Sequence, residues 1–192
     1  IHPVPSDVGG NMPNINRRTK SIYMQDYFNV TDDTAVVLNL RYDDISDIDE
    51  SVVSPRLALI HNLNDKNIIK IQYAKAFLTP LFFPLYSNPN TTFIKGNPNL
   101  EIDKAHTYEL SYIYKDFSKS IRSTLYYVNM YSVDTFKQNG TATIDVKNAK
   151  KSSGIELEYN QKFDIFDVKT NMSYNFYSDE KYYNGADYND EI

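Results

Sequence analysis

Two groups of residues in this chain have the types and spacing to hold a ligand. Between residues 77 and 100, Phe82, Phe83, Tyr86 and Phe93 stand among Pro80, Pro84, Pro89 and Pro98. Aromatic rings offer broad, stiff contact area to an organic molecule. Long loops on a rigid scaffold are where binding residues gather. Nearer the N-terminus, Arg17, Arg18 and Lys20 form a basic cluster, and a guanidinium fits planar oxygen acceptors. Each group also has a plainer reading: rings that pack a loop onto its scaffold, and charges on a solvated loop edge. The run from Asp43 through Asp44, Asp47 and Asp49 to Glu50 supplies hard oxygens of the kind Ca²⁺ takes. It lacks the glycine and spacing of an EF-hand loop and reads as a solvated turn.

Catalytic chemistry has no visible home. There is no Cys nucleophile, no glycine-rich phosphate loop and no His pair at metal-ligand spacing. Glu156 and Glu158 are same-face neighbours on a strand rather than a hydrolytic pair. No catalytic residue, metal site or cofactor is expected. The formal net charge of −5 argues against a nucleic-acid partner.

The elements that position these residues are strands. Alternation of apolar and polar side chains predicts strands near 21–29, 35–43, 53–61, 68–77, 106–115, 120–131, 151–161 and 167–177. Leu38, Leu40 and Tyr42 oppose Asn39, Arg41 and Asp43; Ile69, Ile71 and Tyr73 oppose Lys70 and Gln72. Tyr108, Leu110 and Tyr112 oppose Glu109 and Ser111, while Ile155, Leu157 and Tyr159 oppose Glu156 and Glu158. The first, third and sixth strands alternate less cleanly. Connections alternate in length. Short ones at 30–34, 62–67, 116–119 and 162–166 carry Asp, Asn or Ser, which favour tight turns. Long ones are expected at 44–52, 78–105 and 132–150, and after Tyr177.

Short turns at one end and long loops at the other are the mark of an up-and-down barrel that crosses a membrane with strands. The 17 Tyr and 10 Phe suit strands and the aromatic girdles of such barrels. No apolar run is long enough for a transmembrane helix. Ile1-His2-Pro3-Val4-Pro5 carries no leader pattern, and residues 1–192 are expected to be a fragment of a longer barrel domain.

Six short motifs then resemble, in order, the barrel of the TonB-dependent outer-membrane receptors. Tyr23-Met24-Gln25-Asp26, Thr31-Asp32 and Leu40-Arg41-Tyr42-Asp43 are similar to one of its hairpins, with Asn39 where the family usually has Gly. Ser54-Pro55-Arg56-Leu57 resembles its next strand. Ala76-Phe77-Leu78-Thr79-Pro80 is similar to its Phe-Arg-Ala-Pro box, with Leu78 and Thr79 departing. Asn97-Pro98-Asn99-Leu100, His106-Thr107-Tyr108-Glu109-Leu110 and Gly154-Ile155-Glu156-Leu157-Glu158 complete the series.

The resemblance implies an all-β segment of about eight antiparallel strands, cut from a plugged barrel of about 22. The plug and the C-terminal strands lie outside it. It implies an active transporter in the bacterial outer membrane that imports an iron complex, a ferric siderophore by family base rate. Its partners would be that chelate or another metal chelate, outer-membrane lipid, and the TonB complex acting through the plug. Arg17, Arg18, Phe82, Phe83, Tyr86 and Phe93 are the candidate ligand-binding residues. Haem-uptake members place a His between the two boxes; residues 77–100 contain none, and His106 lies beyond. Arg41, Arg56, Lys70, Glu109, Glu156 and Glu158 are expected to face the lumen. The competing reading is a soluble β-sandwich that binds a glycan or a protein.

Overall fold

The computed structural model describes residues 15–48, 50–87, 94–95, 97–138 and 141–183. Nine strands form one sheet: β1 (Thr19–Asn29), β2 (Thr34–Ile45), β3 (Glu50–Asn64), β4 (Asn67–Leu78), β5 (Ile94–Lys95), β6 (Asp103–Lys115), β7 (Lys119–Gln138), β8 (Thr141–Lys162) and β9 (Asp167–Tyr183). The eight long strands pair with their chain neighbours in order, all antiparallel. The two-residue β5 adds in parallel to β8, with Ile94 opposite Ala142. One helical turn, α1 (Phe82–Tyr86), lies in the β4–β6 connection. The sheet is open, an arc of a barrel wall.

Each expected strand is present, and each is longer than its alternation predicts. The largest difference is at 132–150, expected as a loop and found as the outer reach of the β7–β8 hairpin. Its register shifts between Asp134 and Thr135. A bulge of this kind breaks the period of two that marks a strand. The loop expected at 44–52 shrinks to a turn between Ile45 and Glu50, and β9 continues past Tyr177 to Tyr183. The asymmetry of the connections therefore survives as hairpins that project beyond the wall at one end.

Direct cross-strand partners share a face, so the register sorts the side chains. One face carries the row Leu59, Ile71, Leu110, Leu125, Ile155 and Tyr174. Leu57, Tyr73, Tyr108 and Tyr127 form the next row toward the long hairpins. Near the short turns the same face carries Tyr114, Ile121 and Tyr159. The opposite face carries Arg41, Arg56, Lys70, Gln72, Glu109, Glu156 and Glu158. There Arg56 Nη2 donates to Gln72 Oε1 at 2.8 Å, and Gln72 Nε2 donates to Glu109 Oε2 at 3.2 Å. The ambiguous β1 resolves too: Ile22 and Met24 lie opposite Tyr42 and Leu40 on the apolar face, and Tyr23 and Gln25 join Arg41 and Asn39 on the polar one.

The apolar face is open. Ile71 is 52% exposed, Leu110 46% and Leu125 45%. An uncovered apolar surface of this extent is foreign to a soluble monomer. No second sheet packs on it among the described residues, and the sandwich reading is not favoured. In a membrane barrel this is the outer, lipid-facing side, bounded by tyrosines above and below, and the polar side is the lumen.

The short turns are tied to one another. Asn64 Oδ1 accepts from the backbone N–H of Lys66 and of Asn67, both at 3.1 Å. Lys66 Nζ reaches Asp116 Oδ2 of the next turn at 2.9 Å. The Lys66 hydrogen bond, and then the Phe117 N–H, hold the Asp116 carboxyl below its ordinary value; the same pairing holds the Lys66 ammonium above its own. A depressed carboxyl stabilises above its unfolded pKa and ceases to as pH falls through the folded one. A raised ammonium stabilises below its unfolded pKa and ceases to as pH rises through the folded one. The pair therefore acts between the carboxylate and ammonium ranges. Both ends face water, so its effect is small and salt-screened. Lys66→Gln in the complete barrel is expected to lower thermal stability slightly at neutral pH. The difference should vanish at acid pH and at high salt. A deficit that persists below the carboxylate range would assign Lys66 some other role.

Candidate functional site

At the end where the hairpins project, three distant segments meet. The β3–β4 ladder stops at Arg56 opposite Ala74, beside Pro55, which has no N–H to offer a partner. Past that point the two strands part. Ile45 and Val52 of the β2–β3 hairpin then bury themselves with Ile102, and Phe77 packs on them. A second cluster pins the β4–β6 connection. Leu85 of α1 is 1% exposed and packs with Leu100, with Ile48 and Tyr86 against them. The backbone N–H of Asn97 donates to the Pro84 carbonyl at 2.9 Å, closing the segment between the two boxes. Pro84 sits within the first turn of α1, where a missing N–H breaks no helical bond.

Over these clusters lies a polar latch. Arg17 holds Asp47 with two charged hydrogen bonds, Nε to Oδ1 at 2.7 Å and Nη2 to Oδ2 at 2.8 Å. The two side chains are 18% and 3% exposed. The guanidinium lies 4.9 Å from the Phe82 ring centroid, a cation–π contact. Tyr86 Oη donates to the Asp47 carbonyl at 3.0 Å. Burial, with the Asp47 carboxylate beside it, holds the Tyr86 phenol above its ordinary value, so it remains a donor. The Arg18 N–H donates to Ser46 Oγ at 3.0 Å, and the Ser46 N–H returns a bond to the Arg18 carbonyl at 3.1 Å.

The structure thus brings together Arg17, Phe82 and Tyr86, which sequence reasoning grouped only as separate loops. Arg17 is committed to Asp47. Arg18 is exposed and makes no ion pair among the described residues. Phe82 and Phe83 keep 39% and 37% of their surface open. Phe93 lies outside the described residues. The acidic run is not the solvated turn expected. Asp43 is fully buried, held by Arg41 at 2.7 Å and by Ser21 Oγ at 2.5 Å, and Asp47 is nearly so. Glu50 accepts from the Ile102 N–H at 3.3 Å. Ser46 and Leu85 were missed as rim residues, and Asp47 was read only as part of a solvated acidic turn. The available signal was Ile45 and Ile48, apolar residues set inside an acidic run. His106 lies on the outer face beside Tyr73, bonded at 2.9 Å, so it does not reach a lumenal ligand.

Deeper in the wall, a polar recess of about 430 Å³ opens on the lumen side among Lys70, Glu109, Ser111, Arg122, Thr124 and Glu156. Arg122 pairs with Glu158 at 3.4 Å, and Ser111 shares a hydrogen bond with Thr124 at 2.9 Å.

The chain is 37% identical over 90 residues to the probable TonB-dependent siderophore receptor PirA of Acinetobacter baumannii, a match over 47% of this chain and 11% of that protein. A mutant of the ferric enterobactin receptor PfeA of Pseudomonas aeruginosa superimposes with a TM-score of 0.70 at 18% identity, over 88% of this chain and 29% of that one. The solved siderophore receptor PirA of A. baumannii gives 0.67 at 21%, over 83% and 28%. This chain therefore spans less than a third of each of these two solved receptors. Their likeness at such low identity establishes the open barrel wall. The profile of the TonB-dependent receptor-like β-barrel matches residues 2–191. With nearly the whole chain matched, its outward tyrosine rows and charged lumen face are those of a bacterial outer-membrane barrel, and the chain belongs to the TonB-dependent receptor β-barrel family.

Proposed function

We propose that this chain is one stretch of the barrel of an outer-membrane active transporter. The rest of the barrel and a plug complete it, and TonB energises it through the plug. Its cargo is an iron complex, with a ferric siderophore as the substrate class. The observation that carries this reading is the rim. A pinned aromatic turn leaves Phe82 and Phe83 partly open, with Arg17 over the Phe82 ring and the exposed Arg18 next to it in the chain, apolar area and positive charge at one rim, as an anionic organic chelate of iron requires. The names of the relatives, siderophore and ferric enterobactin receptors, support the same class. In this reading Arg17 and Tyr86 position the turn, and Phe82, Phe83 and Arg18 touch the ligand. The lumen charges Lys70, Arg122, Glu156 and Glu158 face the plug.

The test is growth under iron limitation of cells whose sole receptor is the full-length protein, with siderophores supplied one at a time. At least one ferric siderophore should support growth in a TonB-dependent way. Phe82→Ala combined with Phe83→Ala should weaken its binding about tenfold, within the range for truncated contact aromatics, while the barrel remains folded. Growth on no siderophore, or uptake independent of TonB, would overturn the reading.

A further inference from the structure

The Arg17–Asp47 pair joins three segments that are far apart in the chain: the approach to β1, the β2–β3 turn and the β4–β6 connection. Arg17 is held at two points. Its Nε and Nη2 take both carboxylate oxygens, and its Cζ lies 4.9 Å from the Phe82 ring centroid. Asp47 is held at two points as well, its carboxylate by Arg17 and its backbone carbonyl by Tyr86 Oη at 3.0 Å. The next residue, Ile48, packs on both apolar clusters of the rim, the one around Ile45 and the one around Leu85. Just before Asp47, Ser46 exchanges two hydrogen bonds with Arg18. The short turn between β2 and β3 is therefore the point at which these contacts converge.

We propose that this sector of the rim is a fixed jaw of the ligand site: it stays closed through the whole transport cycle, and Asp47 is the residue that positions it. The cost of opening argues for this. The Asp47 side chain is 3% exposed, and drawing Arg17 away would leave a buried carboxylate without its partner, which is strongly unfavourable. Opening would also bring Ile45 and Leu85, each 1% exposed, into water. Elements that move in a working cycle come from the weakly packed end of a structure, whereas this sector has two apolar clusters and a doubly bonded ion pair. What a fixed jaw gains is preorganisation. Phe82 and Phe83 are held partly open before a ligand arrives, so their ordering is not charged against binding. Asp47 then sets affinity without touching the ligand. The inference rests on the transport reading and adds to it which part of the mouth does not move.

The test uses the full-length receptor carrying Arg17→Cys with Asp47→Cys, bridged by a short reducible thiol cross-linker. Its probe is the ferric siderophore that supports growth in the assay above, labelled with radioactive iron. Bridging should tighten binding and leave uptake running, and reduction should weaken binding again. Asp47→Asn should raise the half-saturating siderophore concentration about tenfold, the loss expected when several side chains must be ordered on binding, and should move the maximal rate far less. Arg17→Lys keeps the charge and gives up the two-point fork. It should weaken binding as Asp47→Asn does; full affinity would mean that charge alone is needed and would remove the positioning role. A second measurement does not depend on affinity. Leu85→Cys should stay unreactive to an impermeant maleimide both in resting cells and in cells importing siderophore, and should become reactive once Asp47→Asn is added. Uptake that stops on bridging and resumes on reduction, or Leu85→Cys labelling that rises during import, would overturn the proposal. A parent receptor that takes up no siderophore is a failure of the transport reading instead, and Leu85→Cys labelling with and without Asp47→Asn then still decides whether Asp47 holds the jaw closed.

Discussion

A full-length receptor carrying Leu110→Arg will be less stable than its parent by about 2–4 kcal/mol when folded into bilayers. Ser173→Lys will stay within about 0.5 kcal/mol. The two positions lie on neighbouring rows of the same wall. Leu110 sits between Ile71 and Leu125 in the middle of the apolar band, where a guanidinium has neither water nor a partner. Ser173 lies opposite Glu156 on the polar side, where an ammonium gains a carboxylate. The contrast depends on face alone, since both changes add one positive charge to a strand interior. Urea unfolding from lipid vesicles measures it. A tolerated Leu110→Arg with a damaging Ser173→Lys would mean that the faces are inverted, and the lumenal recess and rim would have to be reassigned with them.

That facing was legible in the residues because a strand's side chains alternate, and in a membrane barrel both sides are chemically strict. Ile69, Ile71 and Tyr73 against Lys70 and Gln72 needed no structure to sort. β1 and β3 were harder, because Tyr23 and Tyr27 lie on the polar side and Ala58 and Ile60 join Arg56 there. Tyrosine suits either face, and the inner face of a barrel wall tolerates small or apolar residues among its polar ones. Only the cross-strand register decides such positions. The stretch 132–150 was misread for a physical reason: the shift at Asp134 and Thr135 moves the alternation out of phase midway. The rim was legible in its parts and not in its assembly. Arg17 and Asp47 are thirty positions apart, and a long-range ion pair leaves no local pattern. The apolar Ile45 and Ile48 inside the acidic run were the residues announcing that the turn is packed rather than solvated.

Gly154→Val is expected to block assembly of the barrel, at a cost of at least about 3 kcal/mol, the upper range for forcing a side chain into filled space. A Cβ at Gly154 would fall on the Tyr126 hydroxyl and on the Tyr174 backbone carbonyl, with Tyr126 Cζ at 2.7 Å. Tyr126 is the direct cross-strand partner of Gly154 on β7, and its ring covers the glycine. A ring at the end of a side chain can swing away at modest cost. The Tyr174 carbonyl cannot, because β8 and β9 are joined by a ladder whose register already shifts between Ser153 and Gly154. Further displacement there would break pairing that the bilayer cannot replace with water. The absence of a side chain at Gly154 is thus what lets three strands close up at the foot of the Ile155–Glu158 run. The readout is the fraction of full-length receptor that reaches the compact, heat-resistant form on unheated gels. Gly154→Ala should reduce it and Gly154→Val should nearly abolish it. Adding Tyr126→Ala should recover only part, since it clears the ring and leaves the carbonyl. Full recovery would place the whole conflict in the Tyr126 ring, and normal assembly of Gly154→Val would show that the wall at this point is looser than the close approach of the three strands requires.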